Sequence, residues 1–152
     1  MTIRRLEPRD REEYLTMSEE FYATDAVLSP VPKENFEKTF DLLLAGSPFA
    51  DAYLAEEDGA ALAYVLLSFG WSNEAGGTVV WGEELYVRPQ YRGRGVGSAL
   101  IARIFRDHGD EAVRFRLETE EENEGARRLY RRIGFRDLPY LQMVLDRPGK
   151  NA

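Results

Sequence analysis

Val87-Arg88-Pro89-Gln90-Tyr91-Arg92-Gly93-Arg94-Gly95-Val96-Gly97-Ser98 decides how this chain is read. A run rich in Val, Trp, Leu and Tyr precedes it. After it, Val96, Leu100 and Ile104 recur every four residues, the spacing of one helical face. The segment is therefore a turn from a strand into a helix. Three glycines alternate with Arg94 and Val96, so the main chain can take positive φ and come close to a ligand. The helix opens with unpaired N–H groups and the positive end of its dipole. Such a turn is an anion site, above all for a phosphate or diphosphate. Arg92 and Arg94 add cationic donors. The competing reading is a tight turn that binds nothing, but turning alone explains two arginines beside three glycines poorly.

Two common phosphate motifs do not fit. No Gly-Lys-Ser or Gly-Lys-Thr is present, which excludes a P-loop. Gly93, Gly95 and Gly97 give G-x-G-x-G, one residue short of the dinucleotide fingerprint, and residues 98–152 are too few for the parallel βαβ domain that fingerprint needs.

Working towards the N-terminus, residues 78–87 form the strand that enters the turn, with Ala75-Gly76-Gly77 as the turn before it. Residues 51–56 and 60–69 are apolar runs joined by Glu57-Asp58-Gly59, a hairpin signal, so three consecutive strands should pair antiparallel. Phe36, Phe40, Leu43 and Leu44 stripe a helix stopped by Gly46 and Pro48. Ser29-Pro30-Val31-Pro32 separates it from an earlier helix that starts after Pro8 and carries Tyr14, Met17 and Phe21 on one face. Residues 2–6 read as the first strand. Working towards the C-terminus, residues 95–108 are helical with Gly109 as the stop, and His108 reads as an exposed helix-end residue. Residues 112–118 alternate as a half-buried strand. Residues 123–133 are helical, with Gly134 as the stop, and residues 135–138 and 141–145 read as two final strands. The order β-α-α-β-β-β-α-β-α-β-β predicts an α/β domain, one mixed sheet with helices on its faces, spanning residues 1–152.

Composition narrows the chemistry. The 152 residues include no Cys and one His, which excludes disulfides, thiol nucleophiles, multi-His metal sites and most catalytic triads. No metal is therefore expected. Lys plus Arg number 20 against 27 Asp plus Glu, a net charge of −7. The whole chain lacks the basic footprint of a nucleic-acid binder and tolerates cationic partners such as amines. No run approaches the roughly 18–20 apolar residues of a membrane span, and Met1-Thr2-Ile3-Arg4-Arg5 lacks the apolar core of a secretory signal. A cytoplasmic protein with no membrane partner is the expectation.

Arg92-Gly93-Arg94-Gly95-Val96-Gly97 resembles the acetyl-CoA signature of the GCN5-related N-acetyltransferase (GNAT) superfamily, Gln/Arg-x-x-Gly-x-Gly/Ala, at every defined position. Leu85-Tyr86-Val87-Arg88-Pro89 is similar to the strand leading into it. Asn123, Ala126, Leu129-Tyr130 and Gly134-Phe135 are similar to the family's second cofactor motif, and the element order agrees along the whole chain. The resemblance implies the GNAT fold, in which two neighbouring strands splay apart to admit the cofactor, here residues 78–87 and 112–118. It implies that the backbone of Leu85, Tyr86 and Val87 pairs with the pantetheine arm. It also implies that amides from Arg92, Gly93, Arg94, Gly95, Val96, Gly97 and Ser98 hold the diphosphate, with Asn123 and Ala126 near the mouth. A homodimer is an assembly the resemblance leaves open.

An amine attacks a thioester only when neutral. Alkyl amines have a pKa of about 10, so a proton must first leave. A carboxylate can accept it, a strand N–H can hold the developing oxyanion, and an acid can serve the departing thiolate. No covalent enzyme intermediate is needed, in keeping with a chain without Cys. By resemblance Tyr130 is the acid; its other role is core packing in the stripe with Leu129 and Ile133. Glu83 and Glu84 interrupt an apolar strand, a costly placement away from a cavity. The pair resembles the acidic pair before the cofactor strand of spermidine/spermine-type acetyltransferases, which makes Glu83 the base and gives Glu84 a hold on the amine. Strict alternation sends the two carboxylates to opposite faces, and a bulge would change that parity. The bland reading is a salt-bridged pair.

Glu19, Glu20, Tyr22 and Asp25 close the first helix, where the family covers the acceptor, so Tyr22 joins the candidate substrate contacts. Trp71-Ser72-Asn73-Glu74 is a turn that could reach the same pocket. Glu118 to Glu124 holds five Glu, followed by Arg127, Arg128, Arg131 and Arg132; this is a solvated helix face with the charges ordered to suit its dipole, and some of these arginines could meet the adenosine phosphate of CoA. The expected activity is acetyl transfer from acetyl-CoA to the primary amine of a small molecule: a polyamine, an aminoglycoside-like amine or an amino-acid derivative. A protein N-terminus or lysine as acceptor, a non-catalytic acyl-CoA sensor on the same fold, and a nucleotide-binding module are the alternatives.

Overall fold

The computed structural model describes residues 1–24 and 30–147, so the expectations at Asp25 and Ser29 lie outside the described residues. The chain divides into two compact units, Met1–Glu120 and Glu121–Ala152.

The first unit is a five-stranded sheet in sequential order, β1 (Thr2–Arg5), β2 (Ala50–Glu57), β3 (Ala60–Ser72), β4 (Gly77–Val87) and β5 (Ala112–Leu117). The first four pair antiparallel. The last pair is parallel because the connection is the helix α3 (Val96–His108), which carries the chain back to the starting end. Helices α1 (Arg11–Tyr22) and α2 (Lys33–Leu44) cover the opposite face. Pro8 starts a single 3-10 turn, Pro8–Asp10, that runs into α1.

Period-two alternation divides the sheet residues between two cores. Tyr53, Val65, Leu67 and Val80 meet Val96, Leu100 and Ile104 of α3. Leu54, Tyr64 and Tyr86 meet Tyr14 and Met17 of α1 and Phe36 and Phe40 of α2. Each fully buried large apolar side chain contributes about 1.5–3 kcal/mol. The stripes read from spacing on α1, α2 and α3 are these faces, except that Leu44 ends exposed at the last residue of α2. Two ion-pair clusters fix α1. Arg4 forks onto Asp10 at 2.7 and 2.9 Å and also bonds Glu56. Arg88 reaches Glu13 and Glu20 and donates to the Ala61 carbonyl at 3.0 Å.

His108 is not an exposed helix end. Its ring is mostly buried, 3.1 Å from the Tyr53 hydroxyl and packed on Phe69, because the last turn of α3 lies against β2 and β3. β3 also runs further than its apolar pattern suggested, through the exposed Trp71 to Ser72, so the turn is carried by the residues after it.

The second unit contains α4 (Glu124–Ile133), closed by Gly134, whose N–H reaches the Tyr130 and Arg131 carbonyls. Arg128 and Glu124 form the expected i,i+4 pair at 3.4 Å. Residues 135–138 and 141–145 are not strands here. Their alternation is strand-like, but among the described residues they join no ladder, and Leu141, Met143, Val144 and Leu145 are exposed. Among the described residues no helix is long and apolar enough to cross a membrane.

Candidate active site

β4 organises the site at its C-terminal end and at its middle. Its C-terminal end passes through the 3-10 turn Pro89–Tyr91 into the glycine turn. Gly93 and Gly95 sit at φ +72° and +79°, the left-handed region that a Cβ disfavours, and Gly95 caps α3. Among the described residues the N–H groups from Gly93 to Ser98 donate to no protein acceptor, whereas the Arg92 N–H is used by the Pro89 carbonyl at 3.3 Å. A Cβ built on Gly93 or Gly95 meets nothing within 4 Å. Unused amides around open space at a helix N-terminus suit a diphosphate. The two arginines are tethered within the protein. Arg92 Nε donates to the Val87 carbonyl at 2.9 Å, and Arg94 pairs with Glu57 at 2.7 Å.

The middle of β4 carries a bulge. Leu66 pairs with Glu84 and Leu67 with Gly82, so Glu83 is the extra residue. The pairings of Tyr64 with Tyr86, Leu66 with Glu84 and Ser68 with Trp81 put these residues on the α1/α2 face. The bulge therefore adds Glu83 to the face that Glu84 already occupies, and Glu83 accepts a short hydrogen bond from Ser68 Oγ there. β5 pairs with β4 only as far as Gly82 and Leu117, so the outer edge of β4 from Glu83 onward has no strand partner among the described residues.

The two carboxylates meet different surroundings. Glu84 is 8% exposed. One oxygen accepts from Tyr64 Oη at 2.6 Å and the other from Tyr22 Oη in a shorter bond. Burial pushes its carboxyl above the ordinary range, the two hydroxyls pull it back, and the nearby Glu83 charge adds to the rise. Burial beside that carboxylate likewise raises Tyr22, Tyr64 and Tyr14. Tyr22 is held by stacking on Phe36 at 5.3 Å and by the Arg88 anchors on its helix. Glu83 is exposed and borders an open hollow of about 380 Å³ with Ser68, Gly70, Trp81 and Glu118.

The remaining expected residues fall as follows. Leu85 and Val87 point to the α3 core and Tyr86 to the other. In the second unit Asn123 is the N-cap of α4, its Oδ1 accepting from the Ala126 N–H at 3.2 Å. Tyr130 is half-buried, edge-on to Phe135 at 5.9 Å, and burial raises its hydroxyl. Tyr64, Ser68 and Trp81 escaped the sequence reading. Their only signal is a shared parity across the β3–β4 register, which is invisible until the bulge is located. Among the described residues no group of acidic and His side chains is placed to hold a metal ion.

The model of the acetyltransferase (GNAT) family matches residues 12–135, from α1 through the end of α4 and across both units. The chain belongs to the GNAT family. Its curated relatives include the thialysine N-epsilon-acetyltransferase of Sus scrofa, 32% identical over 101 residues, which are 60% of this chain and 59% of that protein. An uncharacterized N-acetyltransferase of Methanocaldococcus jannaschii is 36% identical over 102 residues, 66% of this chain and 61% of the other. The matches thus span about three fifths of the length of these relatives. Among solved structures, an aminoglycoside N-acetyltransferase in complex with CoA superposes with a TM-score of 0.80 at 20% identity, covering 96% of this chain and 94% of that one. A probable acetyltransferase gives 0.79 at 23% identity, covering 96% and 97%. The GNAT fold is thereby shared over nearly the whole chain.

Proposed function

We propose that this GNAT protein transfers the acetyl group of acetyl-CoA to the primary amine of a small molecule, both substrates being held together, with the two units acting as one acetyltransferase domain. The observation that carries the reading lies on one strand. β4 ends in a turn of unused N–H groups and bears, at its bulge, a carboxylate that opens on a hollow.

The unused amides from Gly93 to Ser98 would hold the diphosphate, and the unpaired edge of β4 from Leu85 to Val87 would hold the pantetheine arm. Bound acetyl-CoA supplies an activated acetyl thioester. Glu83, hydrogen-bonded to Ser68 and open to the hollow, takes the proton of the incoming ammonium. Glu84 and Tyr22 form a buried polar floor on the same face and add negative potential for a cationic acceptor. Tyr130, whose hydroxyl burial keeps protonated, is assigned as the proton donor to the leaving sulfur.

The test is CoA release from acetyl-CoA with a panel of primary amines. Turnover with at least one amine is expected, and Glu83→Gln should lower kcat about 10²–10³-fold while acetyl-CoA affinity is retained. Acetyl-CoA binding without turnover of any amine would make the protein an acyl-CoA sensor and overturn the proposal.

A further inference from the structure

One cation beside the hollow has no ionic or hydrogen-bond partner among the described residues. On β5, alternation buries Phe115 against α3 and turns Arg114 and Arg116 to the other face. Arg114 pairs with Glu74 at 3.1 Å. Arg116 stands opposite Trp81 in the parallel register, and its guanidinium lies 4.3 Å from the centroid of that ring. A cation–π contact of this kind consumes none of the guanidinium's hydrogen bonds to an oxygen acceptor. Among the described residues its N–H groups reach no carboxylate and no carbonyl. Every other arginine of the Met1–Glu120 unit does, including Arg92, Arg94 and Arg103. In a chain with 27 acidic and 20 basic residues, acidic partners are plentiful, so an arginine parked on a tryptophan is an exception to the local pattern. Trp81 is itself a wall of the hollow that Glu83 and Glu118 border.

The hollow and the guanidinium behind its Trp81 wall therefore bring two kinds of recognition close together. Glu83 and Glu118 offer negative charge to an ammonium. Arg116 offers a planar fork that suits the two oxygens of a carboxylate. Its aromatic support holds the guanidinium near Trp81, so less side-chain freedom is lost when an anion docks.

We propose that Arg116 selects acceptors that carry a carboxylate as well as the reacting amine, so that the substrate is an amino acid with a side-chain amine and not a polyamine. The proposal rests on the acetyl-transfer reading and narrows its acceptor. It has a repulsive half as well. A diamine would bring a second positive charge towards an unpaired guanidinium, whereas a carboxylate neutralises that guanidinium.

Ornithine and lysine differ from putrescine and cadaverine by one carboxylate each, so the ratio of kcat/KM within each pair reads the proposal directly. The wild type should favour the amino acid of the pair at least tenfold, despite its lower positive charge. Arg116→Gln should bring the ratio close to one, mainly through a higher KM for the amino acid with kcat little changed. Arg116→Lys, which keeps the charge and loses the fork, should hold an intermediate ratio, and it carries the test if Arg116→Gln folds poorly. A wild-type ratio of one or less overturns the proposal, as does a preference that survives in Arg116→Gln. If no amine of either kind releases CoA, the acetyl-transfer reading itself fails; if the diamines are the better substrates, only the assignment of Arg116 fails.

Discussion

Gly95→Ala separates ligand binding from backbone strain at the glycine turn. Gly95 sits at φ +79° with open space where a Cβ would project. Alanine there meets no protein atom, so its cost to folding is conformational, about 1–2 kcal/mol for a Cβ-bearing residue held in the left-handed region. For a domain of this size that is a fall of about 2–8 °C in Tm. Gly46 is the control: it lies at φ +72°, also with nothing within 4 Å, but at the end of α2. Gly46→Ala should lose a similar amount of stability. The two variants should part company in calorimetry with CoA. Gly95→Ala sets a methyl group among the amides proposed to receive the diphosphate, and at least a tenfold weaker Kd is expected, equivalent to about 1.4 kcal/mol. Gly46→Ala should bind as the wild type does. If Gly95→Ala keeps wild-type affinity, or both variants weaken CoA equally, the amides from Gly93 to Ser98 do not hold the diphosphate.

Three other perturbations test separate parts of the structure. Tyr130→Phe should lower kcat about 10–100-fold with acetyl-CoA affinity intact, and full activity in steady-state assays would remove its role as acid. Glu84 has its carboxyl raised by burial, so its protonated form favours the fold; that stability is fully present below the ordinary carboxylate range and is lost as pH rises through the folded value. Glu84→Gln should therefore match or exceed the wild-type Tm at neutral pH and lose that advantage in acid, while a constant deficit at every pH would show that the Tyr22 and Tyr64 bonds dominate. Asp10 is the opposite case: burial opposes its ionisation, but the Arg4 fork and the Glu7 N–H outweigh burial and hold it below the usual range. Its stability is present above the ordinary Asp range and is lost as pH falls through the folded value, so Asp10→Asn should cost about 2 kcal/mol at neutral pH and progressively less in acid, as followed by urea unfolding.

Several readings that depended only on neighbours in the chain survived contact with the tertiary structure. The Asp58-Gly59 hairpin, the 96–100–104 face of α3 and the turn of unused amides are each specified within a dozen residues, because periodicity, caps and φ preferences act locally. The strand pattern after Gly134 was equally legible and still forms no strand, since a strand exists only against a partner edge and alternation cannot supply one. The site itself belonged to the register. Alternation alone would have sent Glu83 away from Glu84, and one extra residue opposite Leu66 and Leu67 put both on the same face. Tyr22 and Tyr64 became partners of Glu84 across separations of 62 and 20 residues. Arg116 found Trp81 through a parallel pairing that only the α3 crossover creates. The amino-acid order thus dictated the elements up to Gly134 and the glycine turn with its unused amides, while the meeting of charged groups waited on long-range packing, since a side chain's partner depends on where two distant segments come into register.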